Sequence, residues 1–89
     1  RWYDKVWILD SQWVDQASLI KSDVLLKQGE SVFIWPEAIG KKYKDFNDIA
    51  IAAKKDEISW EFVAKNTHHG LAGIIKMSEI KKYFNSIRL

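Results

Sequence analysis

The sequence has no cysteine in its 89 residues. That absence excludes disulfides and thiolate-based zinc sites, and it gives no support to a secreted, cross-linked scaffold. There is one proline, Pro36, and there are four glycines, with no internal repeat and no low-complexity tract. No apolar run approaches the ~20 residues needed to cross a bilayer, so no membrane partner is expected. No export signal is recognisable, which leads to the expectation of a cytoplasmic location. Charge of one sign is also scarce: 14 Lys+Arg against 12 Asp+Glu leave 14 − 12 = +2. A balance so close to neutral carries almost no information about nucleic acid.

What is present is apolar and aromatic. Hydrophobic residues make up 47% of the chain, and five of them are tryptophan, which argues for a packed core rather than disorder. The length allows one small domain, which buries a modest fraction of its surface and is marginal in stability unless a partner helps.

Residues 3–9 read as a buried strand, because Val6-Trp7-Ile8-Leu9 is a continuous apolar run of the kind found in parallel sheets covered on both faces. Asp10 ends it, and Asp10 or Ser11 is expected to cap a helix over 12–28. Trp13, Ala17, Ile20 and Val24 are spaced to form one inward stripe of that helix, which Val14, Leu25 and Leu26 widen. Gly29 stands where a left-handed C-terminal cap belongs. A second strand over 31–35 follows at the distance of a right-handed βαβ unit, and Pro36 closes it. A loop over 36–46 leads to a helix over 49–55 capped by Asn47 or Asp48. Another helix is expected over 57–66, capped by Asp56 or Ser59, with Ile58 and Phe62 inward. A strand at Trp60-Glu61-Phe62 is the alternative there. Residues 68–73 read as a turn, and a last helix covers 78–85. Trp7, Trp35 and Trp60 are expected in the core, with Trp2 and Trp13 as candidates for exposure.

Two junctions stand out, each an apolar strand followed by an acid: Val6–Leu9 into Asp10, and Val32–Trp35 through the loop into Lys44-Asp45-Phe46-Asn47-Asp48. Carboxylates at the C-terminal ends of adjacent parallel strands project into one crevice, where open α/β sheets keep their sites. Asp10 and Asp45 are therefore candidates to share a magnesium-type ion, which takes one or two carboxylates and completes its shell with water and phosphate. The plainer reading is that these aspartates cap helices or make turns. Lys41, Lys42 and Lys44 flank the crevice as candidate phosphate ligands, with Tyr43 and Phe46 as candidate stacking rings, or else they form a solvated loop. Lys54-Lys55 and Lys81-Lys82 read as ordinary helix surface. His68-His69 reads as a solvent-facing turn, since adjacent side chains rarely converge on one metal.

The ordered set VWILD, a helix ending at Gly29, ESVFIWP and KDFND, continuing into Lys65-Asn66 and Gly70-Leu71, resembles the C-terminal half of the Toprim domain of T-even-type bacteriophage DNA primases. The resemblance spans roughly residues 5–80. It implies an α/β fold: a Toprim-like partial domain with a parallel βαβ core followed by short C-terminal helices. It also implies magnesium- or manganese-dependent RNA primer synthesis on a single-stranded DNA template from nucleotides, beside a replicative helicase. The location would then be the host-cell cytoplasm. By position, Asp10 matches the first of the family's paired acids and Asp45 the acid of its Lys-Asp motif, with Asn47 and Asp48 as the neighbours that support it.

This chain departs from the family pattern at Gln12, where the second paired acid belongs, and at Trp13-Val14 in place of Pro-Arg. The family's glutamate motif lies upstream of the matched region. The chain is therefore expected to be part of a larger or split primase, completed by a separate N-terminal half or a second copy that covers the open sheet edge. The alternatives are a non-catalytic Toprim-derived binding or regulatory module and a Toprim-type nuclease or repair subunit.

Overall fold

The computed structural model describes residues 5–53 and 59–87. The expected strand start at 3–4, Trp2, Lys54-Lys55, the candidate cap Asp56 and the inward Ile58 lie outside them. The described elements are β1 (Val6–Trp7), α1 (Gln16–Lys27), β2 (Ser31–Phe33), α2 (Glu37–Gly40), α3 (Phe46–Ala53), α4 (Trp60–Lys65), β3 (Thr67–His68) and α5 (Gly70–Ile87). They form a mixed α/β arrangement around a three-stranded sheet of order β1-β2-β3.

The βαβ unit is present. β1 and β2 run parallel, with Val6 opposite Ser31 and Trp7 opposite Val32. Val32 and Phe33 are both fully buried, as a strand covered on both faces requires. The Phe33 ring packs edge-on against Phe46 of α3 and at a tilt against Phe62 of α4. Val32 points to the opposite face by the alternation of a strand. The turn out of α1 closes as a Schellman motif: Gly29 N donates to Leu26 O and Glu30 N to Leu25 O, with Gly29 at φ +86°. An L side chain at that φ is strained, so glycine fits the position.

Several expectations are corrected. The segment 68–73 is not a turn: Thr67–His68 forms β3, antiparallel to β2, with Val32 opposite His68 and Phe33 opposite Thr67. The last helix starts at Gly70 rather than 78 and runs 18 residues. The region expected as loop 36–46 contains the short α2, and α3 begins at Phe46 rather than 49. Trp60-Glu61-Phe62 is helical, and Ser59 caps it by accepting from Phe62 N.

α1 starts at Gln16, and its cap is Asp15, which accepts from Ala17 N and from Ser18 Oγ. Trp13 thus precedes the helix and shares no phase with it. The face turned inward is Ser18, Leu19, Ser22, Leu25 and Leu26, while Ala17, Ile20 and Val24 are exposed, Ile20 by 58%. Of the expected stripe, Leu25 and Leu26 are buried, but Val14, Ala17, Ile20 and Val24 face outward because α5 packs against the other side. Gly73 of α5 lies so close to Leu26 that a Cβ there would stand 2.5 Å from its Cδ2. Asp23 of α1 pairs with Lys81 of α5 at 3.2 Å.

The tryptophans sort differently from expectation as well. Trp35 is buried and Trp7 half-buried, but Trp60 is 56% exposed and Trp13 only 7%. β1 pairs only with β2 among the described residues.

Candidate functional site

After Trp7 the β1–β2 ladder opens, and side chains replace its backbone rungs. Trp35 Nε1 donates to Leu9 O at 3.0 Å, and Trp13 Nε1 donates to Trp35 O at 2.7 Å. Ser11 Oγ donates to Gly40 O at 2.7 Å and accepts from Trp13 N at 3.2 Å. Ser11 and Gln12 are fully buried, and among the described residues no buried side-chain N or O lacks a hydrogen-bond partner. Residues 9–13 are therefore fixed to the end of β2 and to the loop after it by a saturated polar network, which costs more to break than its bonds individually contribute.

One bond of this network joins the two acid junctions. Ser11 N donates to Lys44 O at 2.7 Å. The donor belongs to the peptide that leaves Asp10, and the acceptor to the peptide that enters Asp45. The two backbones meet at this bond, one just beyond β1 and the other between α2 and α3, and both aspartates are half-buried.

Asp45 also does what the plainer reading required. It directly precedes α3, and its Oδ1 accepts from Asp48 N at 2.9 Å, while Asp48 Oδ2 accepts from Lys44 N at 3.3 Å. The expected cap at Asn47 or Asp48 is thus displaced: Asp45 caps, Asp48 answers from the first turn, and Asn47 is exposed. Capping uses one acceptor direction of a carboxylate that has about four. The remaining directions suit a hard cation.

Ser11 N–Lys44 O brings the peptides beside Asp10 and Asp45 together, and magnesium chemistry would ask two carboxylates of them. Two carboxylates with water and phosphate make a magnesium site, but an all-protein cage is not available: among the described residues no three His, Cys, Asp or Glu side chains gather in metal-binding fashion. Gln12 is not free to serve as a ligand, because its amide is engaged within the core by Phe33 O, Trp35 N and Ser22 Oγ.

The lysines divide. Lys41 Nζ lies 2.7 Å from Glu37 Oε2, 4.2 Å from the centre of the Tyr83 ring and 5.3 Å from that of Trp13. That is a cation–π clasp joining α2 to the C-terminal part of α5. Lys42 sits 5.4 Å over the ring of its neighbour Tyr43, and Lys44 is exposed. Phe46 is not offered to a base: its ring packs 5.1 Å from Trp35 and 5.2 Å from Phe33. His68 Nδ1 is within 3.0 Å of Asn66 O, inside the sheet.

Sequence reasoning missed Ser11, Gln12 and Trp13 as a bolt across the open ladder. The only signal for it was an amide and a hydroxyl between two apolar segments, a pattern that surface turns share.

The chain matches no family model, no curated protein and no solved structure. No helix among the described residues is long and apolar enough to cross a membrane.

Proposed function

We propose that the chain is a Toprim-like module of a phage-type DNA primase, contributing to magnesium-dependent RNA primer synthesis in DNA replication and incomplete on its own. The observation that supports this reading is the Ser11 N–Lys44 O bond, which joins the peptide after Asp10, beyond β1, to the peptide before Asp45, at the start of α3. Asp10 and Asp45 would hold the ion, Asp48 fixes the backbone that presents Asp45, and Lys42 and Lys44 offer positive charge to a template or nucleotide phosphate. When bound, magnesium or manganese stabilises charge on a transferring phosphoryl group and lowers the pKa of the attacking hydroxyl.

A further carboxylate must come from outside these residues. The edge of β1 that no described strand pairs is where a separate N-terminal half or a second copy of the chain would add its strand. The single-stranded template, the nucleotides and a replicative helicase are the other partners of this reading.

Manganese titration monitored by tryptophan fluorescence tests it, since Trp35 is hydrogen-bonded to Leu9, the residue before Asp10, and Trp13 to Trp35. The expected result is a saturable change that Asp10→Asn and Asp45→Asn weaken at least tenfold. No saturable change in the native chain would overturn the metal reading.

A second reading, a non-catalytic Toprim-derived binding or regulatory module, is favoured by one observation: the residue in the second acid's place is an amide buried in the core. It predicts that silent titration together with an intact fold.

A further inference from the structure

The register of the β1–β2 ladder, Val6 opposite Ser31 and Trp7 opposite Val32, would place Leu9 opposite Ile34 if it continued. In a parallel ladder the residue opposite Ile34 donates its N–H to the carbonyl of residue 33 and accepts at its own carbonyl from the N–H of residue 35. Both of those β2 groups are satisfied here, but not by Leu9. Gln12 Nε2 donates to Phe33 O at 2.9 Å, and Gln12 Oε1 accepts from Trp35 N at 3.1 Å. On its other side, Ile34 N donates to Asn66 O at 2.9 Å. The second proton of the carboxamide goes to Ser22 Oγ of α1, at 3.0 Å. The whole side chain is buried, at 0% exposure.

We propose that Gln12 serves as a surrogate strand residue. Its carboxamide stands in for a peptide unit opposite Ile34, continues the parallel ladder past the point where the two backbones part, and ties α1 to the same rung. It is thereby the positioning residue that fixes the turn carrying Asp10 beside Lys44-Asp45. That functional half of the inference rests on the metal reading above; the ladder half does not.

The chemistry demanded at this position is narrow. A donor pair and an acceptor are needed together, at the reach of two methylenes, and only a glutamine carboxamide supplies both. An ionised glutamate of the same size would set a carboxylate oxygen against the Phe33 carbonyl and donate to neither partner. Restoring an acid here therefore breaks the rung without completing a metal site.

Amide hydrogen exchange on the native chain is the first test. Trp35 N–H should be protected about a hundredfold or more, as a buried ladder hydrogen is. Exchange at the rate of an unprotected amide overturns the rung. Gln12→Glu and the similarly sized Gln12→Met come next, followed by urea unfolding and manganese titration. Each should raise the unfolding equilibrium constant roughly tenfold to a hundredfold, the cost of leaving buried partners unpaired. In both, exchange at Trp35 N–H should accelerate. The Gln12→Glu change should not tighten manganese binding, and Gln12→Met should weaken it, although neither substituted side chain faces the ion.

Native-like stability of Gln12→Glu, or manganese bound at least tenfold more tightly by it, overturns the proposal, because the side chain would then be reaching the ion. If the native chain gives no manganese response at all, the metal reading falls. Exchange and stability then decide the rung by themselves.

Discussion

Adding one methyl group at Gly40 probes whether the bolt between residues 11–13 and the loop after β2 is as tight as its geometry implies. Gly40 closes α2, and its φ lies outside the left-handed region, so the backbone does not require glycine. The space does. A Cβ there would stand 2.4 Å from Trp13 Cδ1, 2.9 Å from Ser11 Oγ and 3.0 Å from Trp35 Cβ. None of the three is the free end of a flexible side chain. Trp13 is held through Nε1 on Trp35 O, Ser11 Oγ is bonded to the carbonyl of Gly40 itself, and Trp35 is held through Nε1 on Leu9 O.

Overpacking of a close-packed site costs about 1–3 kcal/mol, and contact with a pinned indole points to the upper half of that range. The gain from replacing glycine is about 0.4–1 kcal/mol, through the unfolded chain. The net loss is then about 1–2.6 kcal/mol, which for a domain of this size lowers Tm by roughly 4–21 °C. Urea unfolding of Gly40→Ala, read by tryptophan fluorescence, measures it, with Gly73→Ala as the internal comparison. At Gly73 the nearest atom is the terminal Leu26 Cδ2 at 2.5 Å, which has a rotamer to give, and the site is inside a helix, where alanine gains up to ~1 kcal/mol. Gly40→Ala should therefore lose more than Gly73→Ala. Equal stability of Gly40→Ala and the native chain, or the reverse order of the two variants, would refute the reasoning.

Two further predictions concern charge. Burial alone raises the Asp23 carboxyl, but hydrogen bonds from Lys27 and Lys81 and their charges outweigh it and hold it below its ordinary value of 3.8. A depressed folded pKa gives stabilisation that is present above the unfolded value and lost as pH falls through the folded one. The stability gap between the native chain and Asp23→Asn should be constant near neutrality and close below about pH 4. Because both lysines are about half exposed, the gap should be no more than about 1 kcal/mol; chemical unfolding across pH 3–7 checks the sign, and a gap that widened on acidification would contradict it. At the mouth of α3, Asp45→Ala should cost about 1 kcal/mol as a lost cap, while Asp45→Asn should cost only a few tenths, since asparagine caps as well. Equal losses in the two would mean that the Asp48 N–Asp45 Oδ1 bond is not what holds the helix start.

Much of the fold was legible because it is locally encoded. The parallel βαβ core follows from two apolar runs separated by one helix, and the exit from α1 follows from a glycine at the one position where φ must be positive. Ser59 was readable as a cap for the same reason: its partner is three residues away. The orientation of α1 was not legible. A stripe counted from Trp13 has the wrong phase, because the helix starts three residues later, at Gln16. The inward face carries Ser18 and Ser22, which do not look like core. Ser22 can be there because Gln12 supplies its partner from ten residues upstream. Trp60 and Trp13 exchanged their expected places on similar grounds. An indole is buried where its N–H finds an acceptor, and Trp13 finds Trp35 O twenty-two residues on. Of the candidate site, the sequence named both acids and both strands. It did not show that Asp45 doubles as a helix cap, that Lys41 is clasped by Glu37, Trp13 and Tyr83, or that Phe46 belongs to the core.

The residues by themselves determined the repertoire: a small α/β arrangement without thiol chemistry or a long apolar run, a parallel β1–β2 pair, and two aspartates, one after β1 and one at the start of α3. Periodicity, caps and the lengths of connections act over a few residues, and such information is written along the chain. Only the tertiary structure decided which face of α1 turns inward, that β3 joins the sheet antiparallel, and that position 12 carries a rung rather than a ligand. Those outcomes depend on which distant donors and acceptors meet when water is excluded, and a buried polar group takes its role from the partner that satisfies it.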